Sequence, residues 1–494
     1  VYLSDNNFTK LMVTDICEDS RKAIPGSMFV ALPGFLADGR AFIDDAISRG
    51  AKYILQESKN GTNHIEFDAT TFTYFLYVKH VRRELSYVAS KFFSSSFEHM
   101  IAVTGTNGKS STIDFVRQIL VFAGLETASI GTLGVISPSR NNKKISENLT
   151  SPGPIELHKI LQKLSNSGIC NIVMEASSHG IEQNRMSSIQ FDICAFTKLG
   201  HDHLDYHGTI DSYWAAKRRL FTDIANPLTT FVVNADDPYT DDLRKIAAHK
   251  GNRLIDYGKM ANNFKIVAVS ATETSQLVTM TIDGFERTYV LPLFGEFQVY
   301  NASCAAAICH SLGLSSDCIM AALANLRFVP GRLELVATLP MKAVGIADAV
   351  PALIFVDYAH TPDALHNVTF ALRKHAKNRI ITLFGCGGDR DQQKRAPMGT
   401  IAEKFSDIVI VTNDNPRHED PAKIRSMILS GCARIGNGTI EIASRECAIA
   451  YAIDELSSGD ILLVAGKGHE NHQQIGDELH HFNDKEVILN WIAK

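Results

Sequence analysis

No stretch of this 494-residue chain has the uninterrupted apolar length that crossing a bilayer requires, so membrane insertion is not expected. A large excess of either charge is also missing. Lys and Arg total 49 against 54 Asp and Glu, and the net charge of −5 gives no support for general nucleic-acid binding. The nine cysteines are odd in number and include no C-x-x-C pair, which argues against a disulfide framework. Reduced, mostly buried thiols in a cytoplasmic protein are expected instead. Short-period repeats, low-complexity tracts and sustained heptads are absent, which leaves ordinary globular domains. Residues 1–10 lack the basic-then-apolar pattern of a secretion signal. The chain opens on Val1 rather than methionine, so a few native residues are expected to precede it.

The remaining composition, 45% apolar and 21% charged, is ordinary for a globular protein. The length exceeds one core, and three α/β domains are expected. Over residues 1–98, short β-type runs at 28–32 and 53–55 alternate with helical stretches at 42–49 and 81–93. Ser94, Ser95 and Ser96 then read as a linker. A central unit, 99–332, has buried-strand runs at 172–174, 193–196 and 230–233. A third, 333–494, has strands at 353–356, 380–384, 408–411 and 461–464 alternating with helices, a doubly wound, Rossmann-like pattern. In such sheets ligands gather at the carboxyl ends of the strands.

The residues at those ends carry the chemistry. Ile101-Ala102-Val103 leads into Thr104-Gly105-Thr106-Asn107-Gly108-Lys109-Ser110-Ser111, which is followed by a helix-compatible run. A glycine loop between a strand and a helix N-terminus presents successive N–H groups at the positive end of the helix dipole, a cradle for polyphosphate. Lys109 would reach the terminal phosphates and the Ser110 hydroxyl a magnesium ion carried by them. Gly105 lies only three residues before Gly108, so the loop is more compact than the common G-x-x-x-x-G-K-[ST] form. The sequence thus predicts an enzyme that uses a nucleoside triphosphate. Glu175 ends another apolar strand, in Glu175-Ala176-Ser177-Ser178-His179-Gly180, where a carboxylate can serve a metal near that loop. Histidines and aspartates crowd residues 201–207 without a nearby cysteine, which favours magnesium or a catalytic role over structural zinc.

Taken in order, these segments resemble the Mur ligases of peptidoglycan synthesis, through Thr104 to Ser110, Glu175 to Gly180, and Asp202-His203-Leu204-Asp205-Tyr206-His207-Gly208. Asp357-Tyr358-Ala359-His360-Thr361-Pro362-Asp363, Phe384-Gly385-Cys386-Gly387-Gly388-Asp389-Arg390-Asp391 and Gly466-Lys467-Gly468-His469-Glu470 make the resemblance closest to the MurE type. It covers essentially the whole chain, including Asp19-Ser20-Arg21 and Ala37-Asp38-Gly39. The resemblance implies a monomeric cytoplasmic ligase, active in cell-wall biogenesis and therefore in cell shape and division. In that reaction ATP phosphorylates the D-glutamyl carboxylate of UDP-N-acetylmuramoyl-L-alanyl-D-glutamate, and an amino acid's amine displaces the phosphate.

By the same resemblance, Thr104 to Ser111, Asn301, Arg332 and Asp357 serve ATP, and Lys109, Glu175, His203 and Lys217 are catalytic. Ser110, Glu175, His203 and Lys217 hold magnesium. Lys217 matches a lysine that the family carbamylates to N6-carboxylysine, although the sequence around it reads only as a helix face. Ser20, Phe35, Leu36 and Ala37 match the uridine end of the UDP substrate. Thr150, Ser151, Ser177, Gln183 and Arg185 match its muramoyl-peptide part, although Thr150-Ser151-Pro152 alone reads as a loop or a helix cap. Two positions depart from the family pattern. Gln298 stands where an asparagine is usual, and Gly200-His201 replaces Ser-Arg.

Asp414-Asn415-Pro416-Arg417 follows the strand at 408–411. On local grounds it is an Asx-Pro turn with a solvated arginine. In the family it marks enzymes that select meso-diaminopimelate, with Arg390, Gly466 and Glu470 as further contacts. Arg417 could pair bidentately with the carboxylate at the far end of that amino acid, which lysine lacks. Diaminopimelate is therefore the expected substrate. The alternatives are a lysine-adding ligase of this type, a folylpolyglutamate-type ligase, or a catalytically silent ATP- or UDP-sugar-binding protein.

Overall fold

A computed structural model describes residues 11–34, 38–138, 150–200, 202–282, 284–340 and 350–494. The expectations placed on residues 1–10 and on Phe35, Leu36, Ala37 and His201 lie outside them. Three α/β sheets follow one another along the chain. The first runs, in spatial order, Ile16–Cys17, Met28–Ala31, Tyr53–Glu57, Thr73–Val78 and His64–Asp68, with only the last pair antiparallel. The helix Val81–Phe92 packs on it through Val81, Leu85 and Val88, at i, i+4 and i+7. An irregular stretch at 94–97 leads out of this unit.

The second sheet has ten strands. Its parallel core runs Leu254–Gly258, Thr230–Asn234, Ile193–Phe196, His99–Thr104, Asn171–Glu175 and Thr127–Gly131. Both faces are covered, which explains the unbroken apolar runs. Ile101 and Val103 pack towards the helices Lys109–Phe122 and Glu296–Ser311, whereas Met100 and Ala102 face Pro154–Ser165. The parallel core is flanked by antiparallel pairs at its two edges. Phe264–Ala271, Gln276–Ile282 and Phe285–Leu291 form one flank and Gly134–Ile136 the other. Gln276, Val278, Met280 and Ile282 are buried while their neighbours are more exposed, the alternation of a sheet covered on one face.

The third sheet runs Glu334–Leu339, Ala352–Asp357, Ile461–Ala465, Ile380–Phe384, Ile408–Val411 and Thr439–Glu441. Only its first pair is antiparallel. Leu353 and Phe355 face one core and Ile354 and Val356 the other, as a doubly wound sheet requires. A fully buried ion pair, Arg445 Nε to Asp484 Oδ1 at 2.7 Å, sits beneath the end of Ile461–Ala465, and Arg445 also donates to the Ala465 carbonyl at 2.9 Å. That anchor fixes the strand end from which Gly466 and Lys467 emerge.

Candidate active site

The strand His99–Thr104 turns through Gly105 (φ 144°) and Gly108 (φ 88°) into the helix Lys109–Phe122. Both glycines are required sterically. A Cβ on Gly105 would collide with Thr197 Oγ1, and one on Gly108 with Asn301 Oδ1. Neighbouring strand ends clamp the loop. The Thr106 N–H donates to the Lys198 carbonyl at 2.7 Å, and the Thr197 hydroxyl donates to the Asn107 carbonyl at 2.7 Å. Ser110, in the first turn of that helix, donates to Glu175 Oε1 at 2.9 Å, and the same oxygen accepts from the Thr132 N–H at 2.8 Å.

Two lysines converge beneath this loop. Lys109 Nζ donates to the carbonyls of Gly105 (3.0 Å) and Thr106 (2.9 Å). Lys217, on the helix Ile210–Arg219, reaches the same Gly105 carbonyl at 2.8 Å. Lys217 is buried, and its Nζ lies 4.4 Å from the centre of the Tyr213 ring. Desolvation pushes the Lys217 pKa well below the usual lysine value and the Lys109 charge pushes it further, with Asp202 opposing. Desolvation also lowers Lys109, against the pull of Glu175 and Asp202. A depressed pKa favours the neutral amine over the ammonium, and only a neutral amine adds to carbon dioxide.

Among the described residues no group of three or more His, Cys, Asp and Glu side chains is placed to hold a metal. Of the four expected magnesium ligands, Ser110 and Glu175 are directly bonded and His203 lines the same cleft, while Lys217 points at the Gly105 carbonyl. A hydroxyl and a carboxylate beside a phosphate loop form a hard oxygen pair, which suits a magnesium that takes its other ligands from phosphate and water. His203 itself adopts φ 54°, with its ring 5.0 Å from that of His179.

The cleft holds about 530 Å3 and is walled by both the second and third sheets' units. Its size suits a nucleotide. The chain crosses between the two units at Gly331 (φ 65°) and Leu333 (φ 48°). Arg332, between them, donates to Ser110 Oγ at 3.2 Å and stacks 4.5 Å over the Tyr358 ring. Asp357 also lines the cleft, but its two oxygens accept the Leu333 and Ala359 N–H groups at 2.6 and 2.7 Å. Burial raises its pKa to about 6 despite Arg332. Asn301 donates to Gln298 Oε1 at 2.9 Å, and Gln298 Nε2 donates to the Arg332 carbonyl at 3.3 Å. The glutamine therefore links the helix Glu296–Ser311 to the crossing point.

Thr150 accepts from Thr132 Oγ1 at 3.2 Å, and both residues line the cleft. Ser151 Oγ donates to the Glu175 carbonyl (2.9 Å) and lies in hydrogen-bonding contact with Ser177 Oγ (3.0 Å). Arg185 donates to the Ser151 carbonyl (2.6 Å) and to Gln183 Oε1 (2.8 Å). These four expected substrate residues thus form one network behind Glu175. Ser20 is buried in a short turn of the first unit, its hydroxyl bonded to Asp45.

The remaining expected residues gather at the carboxyl edge of the third sheet. Arg417 takes φ 50°, is half-buried, and donates from Nη1 to the Gly388 carbonyl at 2.7 Å. Desolvation lowers its pKa and the neighbouring Arg390 guanidinium lowers it further, against Asp414, Glu470 and Asp389. Pro416 packs its carbonyl where a Cβ on Gly388 would sit. Gly466 (φ 109°) leaves space for Asp414, whose Oδ2 would lie 2.7 Å from an added Cβ. Asn415 Nδ2 donates to Glu470 Oε2 at 2.9 Å. Two cationic forks and two carboxylates in one place can accept a zwitterion. Tyr358 lies between this site and the cleft, with its ring 5.3 Å from that of His469 and 4.5 Å from Arg332.

Family models match within each of the three units. The family described as "Mur ligase family, catalytic domain" matches residues 13–93, "Mur ligase middle domain" residues 103–309, and "Mur ligase, glutamate ligase domain" residues 331–468. A relative from Agrobacterium fabrum, named UDP-N-acetylmuramoyl-L-alanyl-D-glutamate–2,6-diaminopimelate ligase, is 42% identical over 97% of this chain and 93% of its own length. The chain belongs to the Mur ligase family. A relative with the same name from Alkaliphilus oremlandii is 38% identical over 97% of this Mur ligase and 94% of its own length. A solved structure with that enzyme name is 30% identical, with a TM-score of 0.67 over 97% of this chain and 95% of its own. A folylpolyglutamate synthase from Mycobacterium tuberculosis shares the fold at TM-score 0.61 and 19% identity, but covers only 78% of this Mur ligase.

Sequence reasoning gave no role to several residues of the Mur ligase cleft, including Thr132, Asp236, Phe297, Tyr300, His360 and Asn367. His360 lay inside a motif already singled out. Thr132 and Asp236 sit in turns that follow strands, Phe297 and Tyr300 share the helix Glu296–Ser311, and Asn367 lies on the helix Pro362–Arg373, none with a local signal of its own.

Proposed function

We propose that this chain joins meso-diaminopimelate to the D-glutamyl carboxylate of UDP-N-acetylmuramoyl-L-alanyl-D-glutamate, with ATP as co-substrate, as a monomer in the cytoplasm. Residues 1–98 would take the UDP end, 99–332 the ATP, and 333–494 the amino acid. The observation that carries the choice of amino acid is the placement of Arg417 beside Arg390 against Gly387, with Asp414 against Gly466 and Glu470 bonded to Asn415, at one strand edge. The forks suit a distal carboxylate and Glu470 the adjacent ammonium, the pair of groups that lysine's far end does not have.

The loop Thr104 to Ser111 presents N–H groups to the phosphates, and Lys109 leaves the Gly105 and Thr106 carbonyls for the terminal phosphate. Arg332 and Asn301 hold the nucleotide side of the cleft, and Asp357 keeps the crossing point closed over it. Thr150, Ser151, Ser177, Gln183 and Arg185 hold the muramoyl dipeptide so that its carboxylate faces the terminal phosphate. Attack by that carboxylate gives an acyl phosphate and ADP. The amine of diaminopimelate adds to the acyl carbon, loses a proton, and expels phosphate to leave an amide. Positioning and charge neutralisation account for most of the acceleration. Magnesium, when bound by Ser110, Glu175, His203 and carbamylated Lys217, supplies charge neutralisation on the phosphates.

The test is to incubate the protein with ATP, magnesium, the UDP-muramoyl dipeptide and meso-diaminopimelate and determine the mass of the UDP product. A gain of one diaminopimelate less one water is expected, and an unchanged UDP substrate would overturn the proposal.

A further inference from the structure

Within Gly466-Lys467-Gly468-His469-Glu470, the lysine has no part in the reaction as described. Lys467 is fully buried and donates to three oxygens: Asn415 Oδ1 at 3.1 Å, Glu470 Oε2 at 3.1 Å and the His472 carbonyl at 2.7 Å. An ammonium has three donors, so its hydrogen-bonding capacity is fully used. A buried lysine satisfied in this way can serve structure alone. The identity of its partners argues for more, because two of them are side chains of the amino-acid site.

Lys467 and one backbone group together fix how those side chains are presented. The Gln474 N–H, which can only donate, meets Asn415 Oδ1 at 3.0 Å. The amide oxygen therefore faces Lys467 and Gln474, and Asn415 Nδ2 must turn to Glu470. The bonds from Asn415 and Lys467 both fall on Glu470 Oε2, which leaves Oε1 for another partner. Charge matters as well. Lys467 adds a buried positive charge to a set in which Arg390 and Arg417 face Asp414, Glu470 and Asp389, and its removal would leave that set negative by one. The far end of diaminopimelate is a neutral zwitterion, whereas the far end of lysine is a lone cation that an extra buried positive charge disfavours.

We propose that Lys467 is a specificity-determining positioning residue: it aims Asn415 and Glu470, and its buried charge weights the site against amino acids ending in a lone ammonium. This rests on the amino-acid ligase reading above.

The test compares the parent protein with Lys467→Met and Lys467→Gln. For each, the KM for meso-diaminopimelate, the KM for ATP and the lysine inhibition constant are read from phosphate release, and folding is read from a thermal melt. In Lys467→Met the KM for diaminopimelate should rise about tenfold and lysine should inhibit more tightly, so that their ratio shifts by more than tenfold, with the KM for ATP nearly constant. Lys467→Gln keeps a donor without the charge. It should recover part of the diaminopimelate KM while its lysine inhibition stays tightened, and it carries the test if the methionine variant does not fold. A purely structural lysine would lower the melting temperature and leave the ratio unmoved. An unmoved ratio in a folded variant of an active parent overturns this inference alone. No amino-acid-dependent phosphate release from the parent would overturn the ligase reading, and the inference with it.

Discussion

Replacing Arg417 by lysine isolates the guanidinium fork from its charge. The residue sits at φ 50°, a conformation that costs arginine and lysine about equally, so the backbone contribution cancels. Lysine keeps one positive charge and can still donate to the Gly388 carbonyl, but it cannot make two parallel bonds to a carboxylate. Losing one partner of a fully buried charged pair costs about 2–5 kcal/mol. Arg417 is only half-buried, Arg390 remains beside it, and the charge is retained. The low end of that range therefore applies, roughly 2 kcal/mol, or about 30-fold in kcat/KM for meso-diaminopimelate. Continuous phosphate release at saturating UDP-muramoyl dipeptide measures it, with the KM for ATP as the internal control. An equal loss of affinity for ATP, or no loss with diaminopimelate, would refute the assignment of Arg417.

Gln298→Met keeps the volume but removes the bonds to Asn301 and to the Arg332 carbonyl, so kcat should fall roughly tenfold, by the loss of about 1–1.5 kcal/mol of positioning, while the KM for diaminopimelate is unchanged; unaltered turnover would show that the link has no function. If Lys217 is carbamylated, protein equilibrated with carbon-13 bicarbonate should show a carbamate resonance that disappears in Lys217→Met together with activity. Full activity in that variant would remove the lysine from the mechanism. His158 is buried between the first two units, with Nε2 2.9 Å from Ser188 Oγ, and desolvation lowers its pKa from 6.5 to about 4. The unfolded chain therefore binds a proton that the folded one refuses. His158 contributes no pH-dependent penalty above pH 6.5, and stability falls as pH drops from 6.5 towards 4, by about 3 kcal/mol at most. Denaturant melts across that range should show the loss in the parent and not in a folded His158→Gln variant.

The phosphate loop was legible because strand, glycines, lysine and helix are contiguous, so the local sequence contains the whole device. The strands at 193–196, 380–384 and 408–411 were legible for a related reason: burial on both faces demands unbroken apolar runs. The antiparallel flank at 264–291 was not anticipated, although Gln276–Ile282 alternates cleanly. The roles of single side chains were less visible. Asp357 follows an apolar strand as a ligand-binding aspartate would, yet both its oxygens turn to backbone N–H groups at the crossing point. Lys467 and Asn415 are 52 residues apart, and nothing local to either reveals that one aims the other. Lys217 reads as a helix face until the fold brings it under Gly105, 112 residues away. Such relations arise from strand order, which places distant strand ends side by side.

The central claim is that one site activates a carboxylate with ATP and another selects diaminopimelate as the amine. The most direct test is phosphate release from ATP with the UDP-muramoyl dipeptide present and either meso-diaminopimelate or lysine added at equal concentration. The account predicts release that depends on diaminopimelate and is at least tenfold slower with lysine. Equal rates, a lysine preference, or no amino-acid-dependent release would contradict it.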